Sequence, residues 1–337
     1  MRSSLFVALL LGMIAFPPAV EGRQSHVAPE QRSYYAAVFL NRSIVSSGGA
    51  PNVGVFRRGP NDTQWVNVYR PNLLTFGIQM WGTGAARRFY VAAGSGLHRS
   101  LDGGKTWRIL TDWHIEEVLS VALDPIDQSM IYIGTPSGLF RSSDDGKTWQ
   151  KKTQGMKRQF IKMVVVDCSD RKALFAAAED DLYRTTDQGE HWKSLHVGVP
   201  GILTILQHPS DPKHLFVGTE DNGVRMSLDG GKTWKSCNGL PATAIYSICL
   251  SPDGKTLFAG GYKTGLWKST DGGVSWSLFW QTSELEAIFT IFVDPANVRH
   301  MMVGTSGRGI FESFDEGKSW HAAGLDGCHV KQIEVYP

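Results

Sequence analysis

Seven tryptophans, Trp65, Trp107, Trp149, Trp192, Trp234, Trp276 and Trp320, recur along the chain at intervals of 42 to 44 residues. The last six close one repeated phrase: GLHRSLDGGKTW, GLFRSSDDGKTW, DLYRTTDQGEHW, GVRMSLDGGKTW, GLWKSTDGGVSW and GIFESFDEGKSW. At Trp65 the phrase is reduced to GVFRRGPNDTQW, which keeps the glycine, an arginine and the tryptophan but loses the serine and aspartate of the turn. A fixed period of this kind marks one supersecondary unit that must stack on copies of itself to bury its apolar face. A period of about 42 residues fits one four-stranded blade, so seven units predict an all-β, seven-bladed β-propeller.

The rest of each unit agrees. Ahead of every turn runs a β-rich segment ending in a small bend: VLSVALDP, IKMVVVDC, ILTILQHP, IYSICLSP and IFTIFVDP. Each predicts an innermost strand. A second strand follows, as in MIYIGT or HLFVGT, then a third that runs into the turn, and a fourth that begins at the tryptophan. The first unit, starting near Tyr34, has YYAAVFLN as its second strand but no innermost strand before it. After Trp320 the chain continues to VKQIEVYP at 330–337, which matches the innermost-strand pattern. That spare strand is expected to enter the first blade and close the ring, removing an open sheet edge. The propeller therefore occupies 34–337.

Ahead of it, Met1-Arg2, the apolar run Leu5–Phe16 and the Pro17-Pro18 pair have the layout of a secretory signal peptide over 1–22. The run is too short for a spanning helix. Residues 23–33 are a polar leader. The expected location is secreted or periplasmic, with no membrane-spanning segment. Thirty-four basic against 32 acidic residues leave a net charge of +2, which gives no electrostatic case for nucleic acid. Cys168, Cys237, Cys249 and Cys328 show no metal-ligand spacing. Export permits disulfides, but Cys249 stands where a neighbouring repeat has Ala, and mostly unpaired thiols are expected. No metal and no cofactor is predicted.

Six copies of one motif invite a reading as six sites, but turn chemistry accounts for every residue in it. The short side chains of Asp102, Asp144, Asp187, Asp229, Asp271 and Asp315, with the preceding Ser or Thr, can bond nearby backbone N–H groups. The glycines permit positive φ, and the tryptophan buries area between blades. A calcium loop needs more oxygen ligands and a terminal glutamate, which are absent. His191, in place of the turn threonine, and His208, at a strand-end bend, read as structural for the same reason.

The pattern Ser/Thr-x-Asp-x-Gly-x-Thr/Ser-Trp is that of the Asp box, or bacterial neuraminidase repeat, and the chain resembles that propeller superfamily over 96–320. In size and blade number it is similar to the photosystem II stability/assembly factor-like family. That resemblance implies a chaperone-like role toward a membrane-protein partner. Sialidases, tandem-propeller xyloglucanases and the sortilin ectodomain share the turns on rings of other sizes. Sialidases also carry an arginine cluster and an Arg-Ile-Pro segment, whereas the corresponding region here reads VFRRGP.

Propeller ligands meet the loops that join one blade to the next, together with the loops between second and third strands, opposite the Asp boxes. These loops carry Trp113, His114, Glu116 and Glu117, then Lys157 and Arg158, then Trp280, Glu284 and Glu286, with Arg308 from the inner set. Aromatic and cationic groups of this kind suit protein recognition. Glycoside hydrolysis would need two facing carboxyl groups, and nothing in the spacing singles out a pair. The residues favour a non-enzymatic exported scaffold that binds a protein or peptide segment, and the family resemblance implies a role as an assembly factor for a membrane or envelope complex. The alternative is a sialidase-like or xyloglucanase-like glycoside hydrolase, or a lectin-like carbohydrate binder. No catalytic residue is assigned.

Overall fold

The computed structural model describes residues 32–41, 53–69, 74–82 and 87–336. Its 28 strands form seven four-stranded antiparallel sheets, with no helix among the described residues. The innermost strands of blades 2 to 7 are Thr75–Trp81, Ser120–Leu123, Ile161–Asp167, Ile202–Gln207, Ile245–Leu250 and Ile288–Asp294. Blade 1 is assembled from both ends of the propeller. Cys328–Tyr336 is its innermost strand and pairs antiparallel with Ser33–Asn41, which in turn pairs with Gly54–Arg58. The closure expected from VKQIEVYP is therefore present, and the innermost strand begins two residues earlier than that phrase. The signal-peptide and leader segments lie outside the described residues, apart from Arg32 and Ser33.

Apolar clusters lie between blades, which is why each unit needs its neighbours. Tyr90 and Leu97 of blade 2 pack with Val121 and Ile131 of blade 3. Ala36 and Phe56 of blade 1 pack with Phe292 and Met302 of blade 7. Close approach is set by the small residue in each second strand. A Cβ on Gly218 would lie 2.5 Å from the Ile245 carbonyl oxygen, and one on Gly304 2.8 Å from that of Val330. Backbone groups on the innermost strands are satisfied from the preceding blade. Ser120 Oγ accepts from Val164 N, Ser247 Oγ from Ile291 N, and Gln332 Oε1 from Ile78 N.

No disulfide joins the four cysteines, and Cys249 is fully buried. No helix among the described residues is long and apolar enough to cross a membrane.

Candidate functional site

The two faces of the ring differ in chemistry. On one, the repeated turn is a closed hydrogen-bond unit. Ser142 Oγ donates to Asp144 Oδ1 at 2.8 Å and accepts from Gly146 N. Asp144 accepts from the Lys147 and Thr148 amides and from the Thr148 hydroxyl. The Thr148 hydroxyl and amide, then Ser142, hold the Asp144 carboxyl down at about 2. The hydroxyl bond recurs at Asp102, Asp229, Asp271 and Asp315, and the lysine amide bond at Asp102 and Asp229. At Asp187 the imidazole Nδ1 of His191 takes the place of the threonine hydroxyl, 2.8 Å from Oδ2. These carboxylates spend their lone pairs on their own turn. The turns also fasten blades together, because the Trp149, Trp192 and Trp234 indoles donate to carbonyls of the preceding blade at 3.0 to 3.1 Å. Trp65 does the same to Ala323 at 2.8 Å, although its own turn has lost the motif.

On the opposite face the connecting loops are pinned by side chains. Asp181 accepts from the Leu182, His196 and Val197 amides. Tyr183 donates to Asp180 at 2.7 Å and accepts from the Lys157 amide. The residues picked out in the sequence are spread around this rim. Trp113, between blades 2 and 3, is 75 % exposed, with its ring against that of His114, whose amide bonds Asp112. Glu116 is exposed and Glu117 half-buried in the same loop. Lys157 and Arg158, between blades 3 and 4, are exposed. Glu284 and Arg308, from two loops flanking the inner strands of blade 7, form an ion pair. Glu286 is half-buried, and its carbonyl accepts from the Lys263 amide at 2.7 Å.

Trp280 is placed differently from its expectation as a loop residue. It ends the outermost strand of blade 6, Ser277–Trp280, and stacks on Trp320 with ring centroids 4.8 Å apart. Its ring joins the apolar cluster between blades 6 and 7, so it belongs to the packing and not to the rim.

A further group was not picked out in the sequence. In six innermost strands one residue falls out of register near the loop-face end: Phe76, Lys162, Leu203, Tyr246, Phe289 and Lys331. Each is a β-bulge, which re-aims one side chain. Several of these side chains meet around the axis. Tyr246 and Phe289 rings lie 5.1 Å apart, and Phe39 and Phe76 rings 5.2 Å. Lys331 Nζ is 3.7 Å from the Phe289 centroid and 5.8 Å from that of Tyr246. Blade 7 separates blades 1 and 6, so the contact from Lys331 to Tyr246 reaches past one intervening blade. Lys162 is ion-paired with Glu220. The signal was present in the strings themselves: IKMV, ILTI, IYSI and IFTI repeat aliphatic–x–y–aliphatic, a phase slip from strict alternation.

A family model described as "Sortilin-Vps10: Sortilin, neurotensin receptor 3," matches residues 137–243. No curated protein matches. Among solved structures, a GH74 xyloglucanase from Xanthomonas campestris superposes with a TM-score of 0.61 at 19% identity, over 73% of this chain and 45% of that one. The extracellular domain of BT4673 from B. thetaiotaomicron gives 0.62 at 16% identity, over 82% of this chain and 38% of that one. YCF48 bound to D1 peptide gives 0.56 at 15% identity, over 74% of this chain and 88% of that one. The chain thus spans less than half the length of the first two. At these identities the likeness shows a shared propeller fold and says nothing of function.

Proposed function

We propose that the chain is an exported, non-enzymatic propeller whose loop face binds an extended segment of a protein partner belonging to a membrane or envelope complex. The observation that carries this reading is the exposed Trp113–His114 pair, on a loop turned by Asp112, together with the exposed Lys157 and Arg158 on the next connecting loop, where the Lys157 amide is held by the Tyr183 hydroxyl. Rigid loops presenting aromatic and arginine anchors bind with little ordering cost. The match to peptide-bound YCF48 over most of both chains supports it, whereas the hydrolase is matched over less than half its length. The hydrogen bonding within the repeated turns supports reading them as structural Asp boxes.

Two carboxylates on the rim argue against glycosidase chemistry. Glu284 lies against Arg308 and Glu220 against Lys162, the reverse of the apolar pocket that lets an acid keep its proton. Glu334 is a carboxyl pushed up to about 8 by burial, but it is enclosed on the innermost strand of blade 1 and bonded by Gln332.

The test is to pan a displayed library of random dodecapeptides on the purified protein and titrate the enriched peptides. Binding that weakens by about tenfold or more on Trp113→Ala or Arg158→Ala, as expected for hot-spot anchors, supports the reading. Turnover of xyloglucan or a sialylated glycan, lost on Glu116→Gln, Glu117→Gln or Glu284→Gln, would replace it with a hydrolase.

A further inference from the structure

The mouth of the central channel opens in the middle of the loop face, because the bulged residues lie where each innermost strand leaves its connecting loop. The two cations among those residues differ in their surroundings. Lys162 is neutralised by Glu220. Lys331 extends its ammonium among Phe289 at 3.7 Å, Phe39 at 5.3 Å and Tyr246 at 5.8 Å. Aromatic faces attract a cation, but they leave its three N–H donors without the oxygen acceptors that an ammonium takes from water. Among the described residues no carboxylate pairs with it. Burial pulls its pKa down to about 8, so the group still carries its charge at neutral pH while part of its hydration is gone. A desolvated cation with an open side and no counter-charge is set up to receive an anion.

The candidate anchors say how an anion would arrive. Trp113 and Arg158 stand on the side of blades 2 to 4, and the Glu284–Arg308 pair stands at blade 7. Arg158 and that pair stand opposite each other on the ring, so an extended segment that joins them by the straight path crosses the centre and lays an internal residue over the mouth. We propose that the channel mouth is a pocket for an acidic side chain within the bound peptide, with its carboxylate pairing to the Lys331 ammonium and its neighbours resting on the Phe289 and Tyr246 rings. This deepens the peptide-binding reading and rests on it.

The test uses the peptides enriched from the dodecapeptide library, synthesised with amidated C-termini. An internal Asp or Glu is expected in them, and its change to Asn or Gln should weaken binding to the unaltered protein by about tenfold or more, the scale of a charge-assisted hydrogen bond. On Lys331→Met, checked by thermal melting for a retained fold, acid and amide peptides should bind alike, and Lys331→Arg should restore the preference. Agreement of this cycle assigns the pairing to Lys331 and not to Arg158. Peptides that depend on Trp113 and Arg158 but are indifferent to their own acids overturn this inference and leave the broader reading intact. So does an acid preference that survives Lys331→Met, or binding that requires a free C-terminal carboxylate. A library that yields no peptide overturns both.

Discussion

Arg58 Nη1 donates to Glu312 Oε2 at 2.9 Å, across the seam where the first blade meets the last. Both side chains are buried, whereas in the ion pairs that cross two other junctions, Arg99–Asp145 and Arg141–Glu190, the carboxylate is partly exposed. Glu312 is also 2.6 Å from His300 Nε2 through Oε1. His300 Nδ1 faces Asp294, which accepts from the Tyr34 hydroxyl at 3.0 Å. Five polar side chains from blades 1 and 7 thus form one connected cluster, with the Arg58 guanidinium lying over the Trp65 and Tyr34 rings. Such a cluster is favourable only while every member is partnered.

The seam should therefore be sensitive to pH in both directions. Burial pushes the Glu312 carboxyl up, but hydrogen bonds from His300 and Arg58 outweigh it and hold the group at about 2. Asp294 is lowered in the same way, against its burial, by His300, the Ala296 amide and Tyr34. Burial pulls His300 down, yet its bonds to Asp294 and Glu312 leave it raised. A lowered carboxyl contributes stability above its unfolded value, about 4, which is lost as pH falls through the folded value. A raised imidazole contributes fully below about 6.5 and loses its share as pH rises through the folded value. The cluster's contribution should peak between about pH 4.5 and 6.5. Glu312→Gln, which leaves Arg58 and His300 short of a charge, should cost about 3–5 kcal/mol in that window and less on either side. A difference in Tm between the two proteins that stays flat from acid to alkaline pH would count against the assignment.

Deleting residues 329–337 should unfold the whole ring. The lost strand carries Val330, Ile333, Val335 and Tyr336, all buried, and Tyr336 donates to the Met80 carbonyl of blade 2. Four such side chains are worth on the order of 6 kcal/mol or more, comparable to the whole stability of many domains. The expected result is a chain without a cooperative melt. A truncated protein that keeps the Tm of the full chain would show that closure contributes little.

In the repeated turns, Ser142→Ala should lower stability by about 1–2 kcal/mol, the range for losing a capping hydroxyl, since Ser142 is buried and bonds both Asp144 and the Gly146 amide. Asp144→Ala should act in the same direction. Neither change should alter the affinity of library peptides. A normal melt with lost binding would place the ligand on the turn face.

How far the sequence disclosed this molecule depends on what each residue's signal was. The tryptophan period carried blade number and closure, because turn chemistry at Asp102 or Asp315 and the strand VKQIEVYP repeat a pattern that only stacked blades satisfy. Trp280 was misread because outer strands such as Lys235–Ser236 end two residues past the tryptophan, whereas that of blade 6 continues to Ser277–Trp280. Its partner Trp320 lies forty residues away, so no local pattern announced the stack. Lys331 looked like an ordinary polar position in an alternating strand. Only the register slip opposite Ala37 and Val38 turns it toward the axis, and a single-residue slip changes facing without changing composition. The seam cluster was equally hidden, since Arg58 and Glu312 are brought together by ring closure alone.

The two tryptophans once grouped together make the sharpest contrast. Trp280 is half-buried and packed on Trp320 and Phe311, so Trp280→Ala should remove aromatic contact from the junction of blades 6 and 7. A loss of about 2–3 kcal/mol is expected, below the cost of a fully buried tryptophan because part of its surface is already wet. Peptide affinity, measured well below the melting transition, should stay the same. Trp113 is three-quarters exposed and touches chiefly His114, so Trp113→Ala should change stability by no more than about 0.5 kcal/mol. Its effect should fall on binding instead, at about 2 kcal/mol or more for an aromatic anchor. Thermal melts and peptide titrations on both variants separate the roles. If Trp113→Ala melts early and binds normally, the exposed indole is a packing element of its loop, and the anchor must be sought elsewhere on the rim.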